Sequence, residues 1–249
     1  MRNDTPARGT TPPGTANEHQ ASQWVQDMFA GIAPKYDRIN HILSFNIDRA
    51  WRKRLMKRLA PVLNKPDAKI LDLCCGTGDV LLDFQAVSAT PVIGADFCHP
   101  MLVTAQHKAQ RRGWKAPLFE ADALQLPLAD GTLDAIAISF GFRNLANYGA
   151  GLGELHRVLK TGGQLAILEF SHPPGALMKA AYGLYSNVML PAIGTVLSGS
   201  GEAYRYLPDS IRKFPRPDEL GRMMSATGFA AVRYELLTGG IAALHIGTK

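Results

Sequence analysis

A glycine-containing turn follows the first strongly apolar segment of β type in the chain. Residues 69–73 are predicted to form a buried strand, and Gly76-Thr77-Gly78 follows shortly afterwards, ahead of a helical pattern. Glycines at such a turn let the backbone approach a ligand closely, and the helix that follows offers free N–H groups. The turn therefore predicts a nucleotide-type binding site.

The acidic residues around this turn indicate which cofactor it binds. Asp72 precedes the glycines, Asp79-Val80-Leu81 follows them, and there is no third glycine near Leu81, where a dinucleotide fingerprint has one. A zwitterionic amino acid carrying a sulfonium fits an acidic turn better than a pyrophosphate does. The residues thus favour S-adenosylmethionine.

Polar residues at the ends of the next strands extend the predicted site. Asp96 ends the second strand, about 20 residues beyond the turn, where an acid accepts hydrogen bonds from ribose hydroxyls. Asp122-Ala123 follows the third strand, where a carboxylate can meet the adenine amino group, and Ser139 ends the fourth strand beneath the reacting centre. Asp122 and Ser139 have a structural alternative, since either side chain can cap a helix or a turn.

The elements that position these residues alternate between strand and helix, which predicts a parallel sheet. The fold class is α/β, a doubly wound, mostly parallel seven-stranded sheet of the class I S-adenosylmethionine-dependent methyltransferase type, preceded by helices. Predicted strands are 69–73, 91–96, 116–120, 133–139, 164–170, 230–237 and 242–247, the last two forming an antiparallel pair. Predicted helices are 21–33, 48–63, one after Gly78, 101–112, 149–159 and 217–227.

Composition and patterning set the domain organisation. The 249 residues, 46% hydrophobic and 19% charged, describe an ordinary globular chain with one large core. Residues 1–19 are polar and rich in Thr, Pro and Gly, so we predict a disordered tail without a signal peptide. Residues 20–249 are predicted to be one domain, with a helical appendage at 20–66 and a substrate-side insertion at 171–216.

The net charge indicates the kind of partner, and the cysteines indicate the cellular compartment. The net charge of +6 favours an anionic partner, and six of the ten residues 49–58 are basic on an amphipathic helical pattern. That helix is either a solvated face packed on the domain or a contact for a membrane surface or an anionic substrate. Three cysteines without a CxxC pair, and no His/Cys cluster, predict no metal site and a reducing cytoplasm.

Four stretches of the sequence resemble the ubiquinone/menaquinone-biosynthesis C-methyltransferase family, over nearly all of the chain after the tail. They are Tyr36-Asp37-x-x-Asn40-x-x-Leu43-Ser44 continued by Trp51, Phe140-Gly141-Phe142-Arg143-Asn144, Arg157-Val158-Leu159-Lys160-Thr161-Gly162-Gly163 continued by Glu169-Phe170-Ser171, and Tyr204-x-Tyr206-Leu207-Pro208-x-Ser210-Ile211. The resemblance implies cofactor contacts at Thr77, Asp96, Asp122-Ala123 and Ser139, in agreement with the placement above.

The implied reaction is methylation of a ring carbon of a polyprenylated quinol, helped by loss of a phenolic proton. Arg143 and Asn144 are then candidates to stabilise the phenolate oxygen, while Tyr36 or His172 relays the proton. Structural alternatives stay open, because Tyr36 can anchor the N-terminal helices and Arg143 can pair with Asp37 or Glu169.

The turn Cys74-Cys75-Gly76 and the pair Asp96-Phe97 look more like the naphthoquinol branch, so demethylmenaquinol is the expected substrate and the benzoquinol is the alternative. A polyprenyl tail suggests peripheral contact with the inner face of the membrane, with the apolar residues 176–197 as a groove. A nucleic-acid methyltransferase and a non-catalytic scaffold are the more distant alternatives, and the acceptor motifs of the nucleic-acid enzymes are absent from the sequence. Homo-oligomerisation is left open.

Overall fold

A single seven-stranded sheet is the centre of the computed structural model, which describes residues 9–33, 36–37, 44, 46–175 and 201–249. Its strands are β1 (Ile70–Leu73), β2 (Ile93–Asp96), β3 (Leu118–Glu120), β4 (Leu133–Ser139), β5 (Leu159–Phe170), β6 (Ala230–Leu237) and β7 (Ala242–Thr248). The helices are α1 (Glu18–Ile32), α2 (Ile47–Leu63), α3 (Asp79–Gln85), α4 (His99–Arg111), α5 (Tyr148–Val158), α6 (Gly201–Lys213) and α7 (Pro217–Ala226).

The strand order is β3-β2-β1-β4-β5-β7-β6. Strands β1 to β5 run parallel, whereas β7 is antiparallel to both β5 and β6. The short turn Thr238–Gly240 joins β6 to β7. The predicted fold class, with its mostly parallel sheet and its antiparallel final pair, is confirmed.

Alternation along the central strands divides the core between the two faces of the sheet. In β1, Leu71 and Leu73 pack with Leu152 and Leu155 of α5 on one face. Ile70 belongs to the opposite face, where α2 and α3 cover the sheet. Successive strand residues point to opposite faces, and a doubly covered parallel sheet buries both. This explains why the strands read as nearly continuous apolar runs.

Helix α2 is fastened to the sheet by a row of buried leucines. Leu55, Leu59 and Leu63 lie one helical turn apart, and each is at most 1% exposed. Burying a leucine side chain contributes about 1.5–3 kcal/mol, so this row alone is a strong attachment. The predicted appendage therefore includes a helix that forms part of the layer over the central strands.

The N-terminal segment is more ordered than the sequence suggested. Helix α1 begins at Glu18 because the side chain of Asn17 accepts the N–H of Gln20 and caps the helix. Thr10 is buried, and its N–H donates to the carbonyl of Leu145 at 2.8 Å. For residues 9–19, the structure thus differs from the predicted disordered tail.

Two further differences concern the second half of the chain. Strand β5 begins at Leu159 rather than at 164, because Leu159 pairs with Leu133 of β4, and Gly162 and Gly163 exchange backbone hydrogen bonds with Lys249. Helix α6 is an addition to the predicted elements, and Pro208 lies inside it. The predicted apolar groove at 176–197 lies outside the described residues.

Candidate functional site

A cavity opens where β1, β2 and β4 end at their carboxyl edge, as expected for an open parallel sheet. Its volume is about 660 Å³ when the space open to solvent is included. The structure brings seven of the predicted site residues together in its wall: Tyr36, Gly76, Asp96, Asp122, Ala123, Ser139 and Asn144. Asp72, Thr77, Gly78 and Arg143 are not part of the wall.

The turn between β1 and α3 has the backbone shape for which glycine is suited. Gly76 and Gly78 have φ angles of 53° and 82°, in the left-handed region. A Cβ at Gly78 would lie 3.0 Å from the Cβ of Ala105, so α4 also requires a small residue there. Gly141 supports the turn from the side, since a Cβ on it would lie 2.3 Å from the Cβ of Cys74. Helix α4 and the segment at Gly141 therefore both pack closely against the turn.

Asp96 lies at the end of β2 and joins the turn to the second strand. Its carboxylate accepts the N–H of Gly76 at 2.8 Å and the N–H of Cys98 at 2.9 Å. Burial raises the pKa of Asp96 to about 6, against the opposing effect of these two hydrogen bonds. Each carboxylate oxygen can accept more than one hydrogen bond, so Asp96 can also receive ribose hydroxyls.

Asp72 lies behind the wall, in the middle of β1. Burial, together with the charge of Asp96, raises its pKa well above the usual range. Its Oδ2 atom has no hydrogen-bond partner within the described parts of the chain. Asp72 is thus a buried acid beside the turn and makes no part of the cavity surface.

Asp122, Ala123 and Ser139 complete the predicted cofactor side. The Oδ1 atom of Asp122 accepts the N–H of Leu124 at 2.9 Å, so part of its role is to cap its own turn. Ser139 lines the cavity, and its buried hydroxyl bonds to no other described residue. Because a buried hydroxyl without a partner is unfavourable, Ser139 is well suited to bind a ligand atom.

Thr77 belongs to an ion-pair network that ties the N-terminal segment to the turn. Its hydroxyl donates to Asp37, and the ammonium of Lys108 bonds to Asp37 Oδ2 at 2.7 Å and also to Asp79. Arg52 reaches the other oxygen of Asp79 at 2.6 Å. We call the first four of these residues, Asp37, Thr77, Lys108 and Asp79, the Asp37 latch. Lys108 is not recognisable as a site residue from the sequence, because its partners lie in distant segments.

The Asp37 latch places Tyr36 over the glycine turn. A Cβ on Gly76 would lie 4.0 Å from Cε1 of Tyr36, and the Tyr36 ring makes an edge contact with Phe29 of α1. Tyr36, Phe29 and Ser22 form the N-terminal side of the cavity. Tyr36 therefore both lines the cavity and packs against the N-terminal helix.

Arg143 is buried behind the wall in an ion pair with Glu169. Its Nη1 atom is 3.0 Å from each carboxylate oxygen of Glu169 and also bonds to the carbonyl of Phe140. The guanidinium lies over the ring of Phe170, 5.4 Å from its centroid. Burial alone would lower the pKa of Arg143, but the charge of Glu169 raises it on balance. The pairing with Glu169 is the alternative that the sequence analysis left open.

Asn144, the neighbour of Arg143, does reach the cavity. Its Oδ1 atom accepts the hydroxyl of Tyr206 at 3.0 Å, and that hydroxyl is 2.7 Å from the hydroxyl of Thr10. Tyr206 and Thr10 were not singled out as site residues from the sequence, although Tyr206 lies in one of the stretches that resemble the family. No local pattern connects residues so far apart.

The described residues include neither a membrane-spanning helix nor a metal-binding cluster. No helix in the described ranges is long and apolar enough to cross a membrane. Within the same ranges, no group of His, Cys, Asp or Glu side chains is arranged to hold a metal ion.

Known proteins of similar sequence match nearly the whole chain. Residues 16–249 match the model of the ubiE/COQ5 methyltransferase family. The demethylmenaquinone methyltransferase of Thermus thermophilus is 48% identical over 223 residues, which cover 89% of this chain and 100% of that protein. The ubiquinone/menaquinone biosynthesis C-methyltransferase UbiE of a Geobacter species is 42% identical over 229 residues, covering 90% of this chain and 96% of that protein.

Solved structures of lower identity share the fold. The [4+2]-cyclase SpnF has a TM-score of 0.68 at 17% identity and covers 97% of this chain and 98% of its own. A SAM-dependent methyltransferase from Aquifex aeolicus has a TM-score of 0.57 at 19% identity, covering 79% of this chain and 88% of its own. The sheet and its helices therefore have the architecture of class I methyltransferases.

Proposed function

The chain belongs to the ubiE/COQ5 methyltransferase family, and from this premise we propose that it methylates a ring carbon of demethylmenaquinol, with S-adenosylmethionine as the methyl donor. The observation that carries the proposal is one cavity lined on one side by the acid Asp96 and on the other by the amide of Asn144. The benzoquinol of ubiquinone synthesis is the second candidate, because the Geobacter relative carries both pathways in its name.

The cofactor side fits S-adenosylmethionine on three observations. Asp96 is a buried acceptor for the ribose, Ser139 has a buried hydroxyl still to be bonded, and the left-handed Gly76 brings the backbone of the turn to the cavity wall. Asp122 and Ala123 form the wall where an adenine would lie. The cofactor supplies a methyl group made electrophilic by the sulfonium.

A ring carbon of the acceptor must become a nucleophile, and we assign its activation to the cavity wall opposite the cofactor side. Ionising a phenol with a pKa of about 10 at pH 7 costs roughly 4 kcal/mol, which the site has to offset. Asn144 can donate to the phenolate oxygen from a buried position, where such a hydrogen bond is stronger than in water. We assign the contact with the ring oxygen to Asn144.

Arg143 and Tyr36 have separate parts in this proposal. The charge of Arg143 is balanced by Glu169, so its contribution is to hold the turn that carries Asn144 and not to contact the substrate. Tyr36 lies at the cavity and relays the phenolic proton towards solvent, with His172 as the alternative carrier.

A polyprenylated substrate requires access to a membrane, and helix α2 offers a basic face. Arg49, Lys53 and Lys57 are exposed, whereas Arg52 is directed inwards to Asp79. We propose peripheral contact of this face with anionic lipid. Co-sedimentation should increase with the anionic lipid content of vesicles and fall with salt, and a protein with all three exposed residues changed to glutamine should lose it. Equal binding by the triple variant would contradict the contact.

The function is tested by methyl transfer from labelled S-adenosylmethionine to demethylmenaquinone in detergent micelles, with the quinone either reduced or left oxidised. We expect label in the reduced substrate only, because the oxidised ring has no phenol to ionise. The demethylated benzoquinol is run in parallel, so that labelling of both substrates would identify a shared enzyme. Binding of the cofactor without transfer to either quinol would refute the proposed function.

A further inference from the structure

Two hydroxyl groups and one side-chain amide from distant parts of the chain meet beside the cavity. Thr10 comes from the N-terminal segment, Tyr206 from α6, and Asn144 from the turn after β4. The two oxygen–oxygen distances are 2.7 Å for Thr10 to Tyr206 and 3.0 Å for Tyr206 to Asn144. All three residues are less than 10% exposed, so the two hydrogen bonds between them are sheltered from bulk water.

Each of the two hydroxyls carries a single hydrogen, and this decides which group donates and which accepts in the two hydrogen bonds. If Tyr206 donates to Oδ1 of Asn144, its oxygen is free to accept the hydrogen of Thr10, and every hydroxyl hydrogen is bonded. The reverse order would have the Asn144 amide donate to Tyr206 and Tyr206 donate to Thr10. The Thr10 hydrogen would then be buried without an acceptor among the described residues, which is the costly arrangement.

Backbone contacts around Thr10 fix the position of its hydroxyl group. Its N–H donates to the carbonyl of Leu145, the residue after Asn144. The chain also passes so close at Gly9 that a Cβ there would lie 1.8 Å from the carbonyl oxygen of Ala146. Burial raises the pKa of Tyr206, so it keeps its hydrogen and stays a donor at neutral pH.

From this geometry we infer that Tyr206 and Thr10 are positioning residues that orient the amide of Asn144 for the methyl acceptor. With Oδ1 occupied by Tyr206, the amide hydrogens of Asn144 are the group left to meet a ligand. The cavity therefore selects an acceptor that presents an oxygen lone pair, as a phenolate does, over one that presents a donor. This inference rests on the proposed function for the identity of the acceptor.

The test compares Tyr206→Phe, Thr10→Val and the double variant with the wild type. We expect Tyr206→Phe to lower kcat about tenfold, with the Kd for S-adenosylmethionine changed less than twofold. The pH profile of kcat should also shift to higher pH, since the phenolate is less stabilised. Thr10→Val should act in the same direction but less, and the double variant should be no worse than Tyr206→Phe, because Thr10 acts through Tyr206.

Ser210→Ala is the control. It removes a buried hydroxyl of the same helix, α6, that donates to the backbone carbonyl of Leu207, and so measures the loss of stability without touching the turn that carries Asn144. We expect a comparable fall in Tm with an unmoved pH profile. Equal pH profiles for Tyr206→Phe and the wild type, or additive effects of Thr10→Val and Tyr206→Phe, would overturn the inference.

A second readout separates this inference from the proposed function. Binding of 1-naphthol, a soluble phenol whose ionisation is seen by absorbance, requires no methyl transfer. We expect the wild type to lower the pKa of bound 1-naphthol and Tyr206→Phe to do so less. If the wild type methylates no quinol yet this difference is present, the function fails and the positioning role stands. An identical pKa in both proteins would refute the positioning role.

Discussion

Changing Lys108 to methionine should weaken cofactor binding about tenfold by releasing the Asp37 latch. The ammonium bonds to Asp37 and Asp79, and the side chains involved are 21–28% exposed. A hydrogen bond to a charged group contributes about 1.5–3 kcal/mol when sheltered, and partial exposure reduces this. We take the net loss in the free energy that holds Tyr36 over the turn as about 1.4 kcal/mol. If cofactor binding has to supply this free energy, Kd rises about tenfold.

Isothermal titration with S-adenosylmethionine measures this change directly. Lys115→Met removes the same charge from an exposed position before β3 and should bind like the wild type, which separates the latch from net charge. Lys108→Arg should recover part of the affinity. A wild-type Kd for Lys108→Met, in a protein with an unchanged Tm, would refute the idea that the latch closes the cofactor side.

Three further predictions test other parts of the structure. Asp96→Asn replaces an accepting oxygen with an N–H₂ group, so calorimetry should show a Kd for S-adenosylmethionine at least about tenfold higher, and an unchanged Kd would remove Asp96 from the cofactor site. Gly141→Ala should lower stability by about 1–3 kcal/mol in denaturant unfolding, because the new methyl group meets Cys74, and Cys74→Gly should restore part of the loss. Burial lowers the pKa of His245 to about 4, so its neutral form stabilises the fold above the unfolded pKa of about 6.5, and this is lost as the pH falls towards 4. Relative to His245→Gln, the wild type should therefore lose about 2 kcal/mol between pH 7.5 and 5 in urea unfolding. The exposed His107→Gln should show no such difference from the wild type, and parallel curves for His245→Gln would contradict the prediction.

The parts of the site that could be predicted from sequence are those produced by neighbouring residues. The apolar run of β1, the glycines after it and Asp96 at the end of the next strand occur in an order that only a strand–turn–helix unit satisfies. Because parallel strands end at one edge, the order along the chain was enough to bring Gly76, Asp96 and Ser139 to one cavity. The same logic recovered the sheet and its final antiparallel pair.

The parts that could not be predicted depend on partners far away in the chain. The first residues of β5 pair with Leu133 and Lys249, and the burial of Arg143 requires Glu169 on β5. Lys108 reads as one more charge on a surface helix until Asp37 is placed beside it. Local sequence patterns indicate which faces are apolar, but they do not indicate which charged side chains form ion pairs with each other.

The separation in sequence between contacting groups differs sharply between the two sides of the cavity, and this sets the order in which they can form during synthesis. The bond from Gly76 to Asp96 joins residues 20 apart, so a nascent chain can make it soon after β2 has left the ribosome. The bond from Thr10 to Tyr206 joins residues 196 apart, and β7 must also insert between β5 and β6. Contacts of such high order are slow to close, because the intervening chain has to be folded first. A chain still being translated thus carries the beginnings of a cofactor pocket for many residues before it can orient the group that recognises the methyl acceptor.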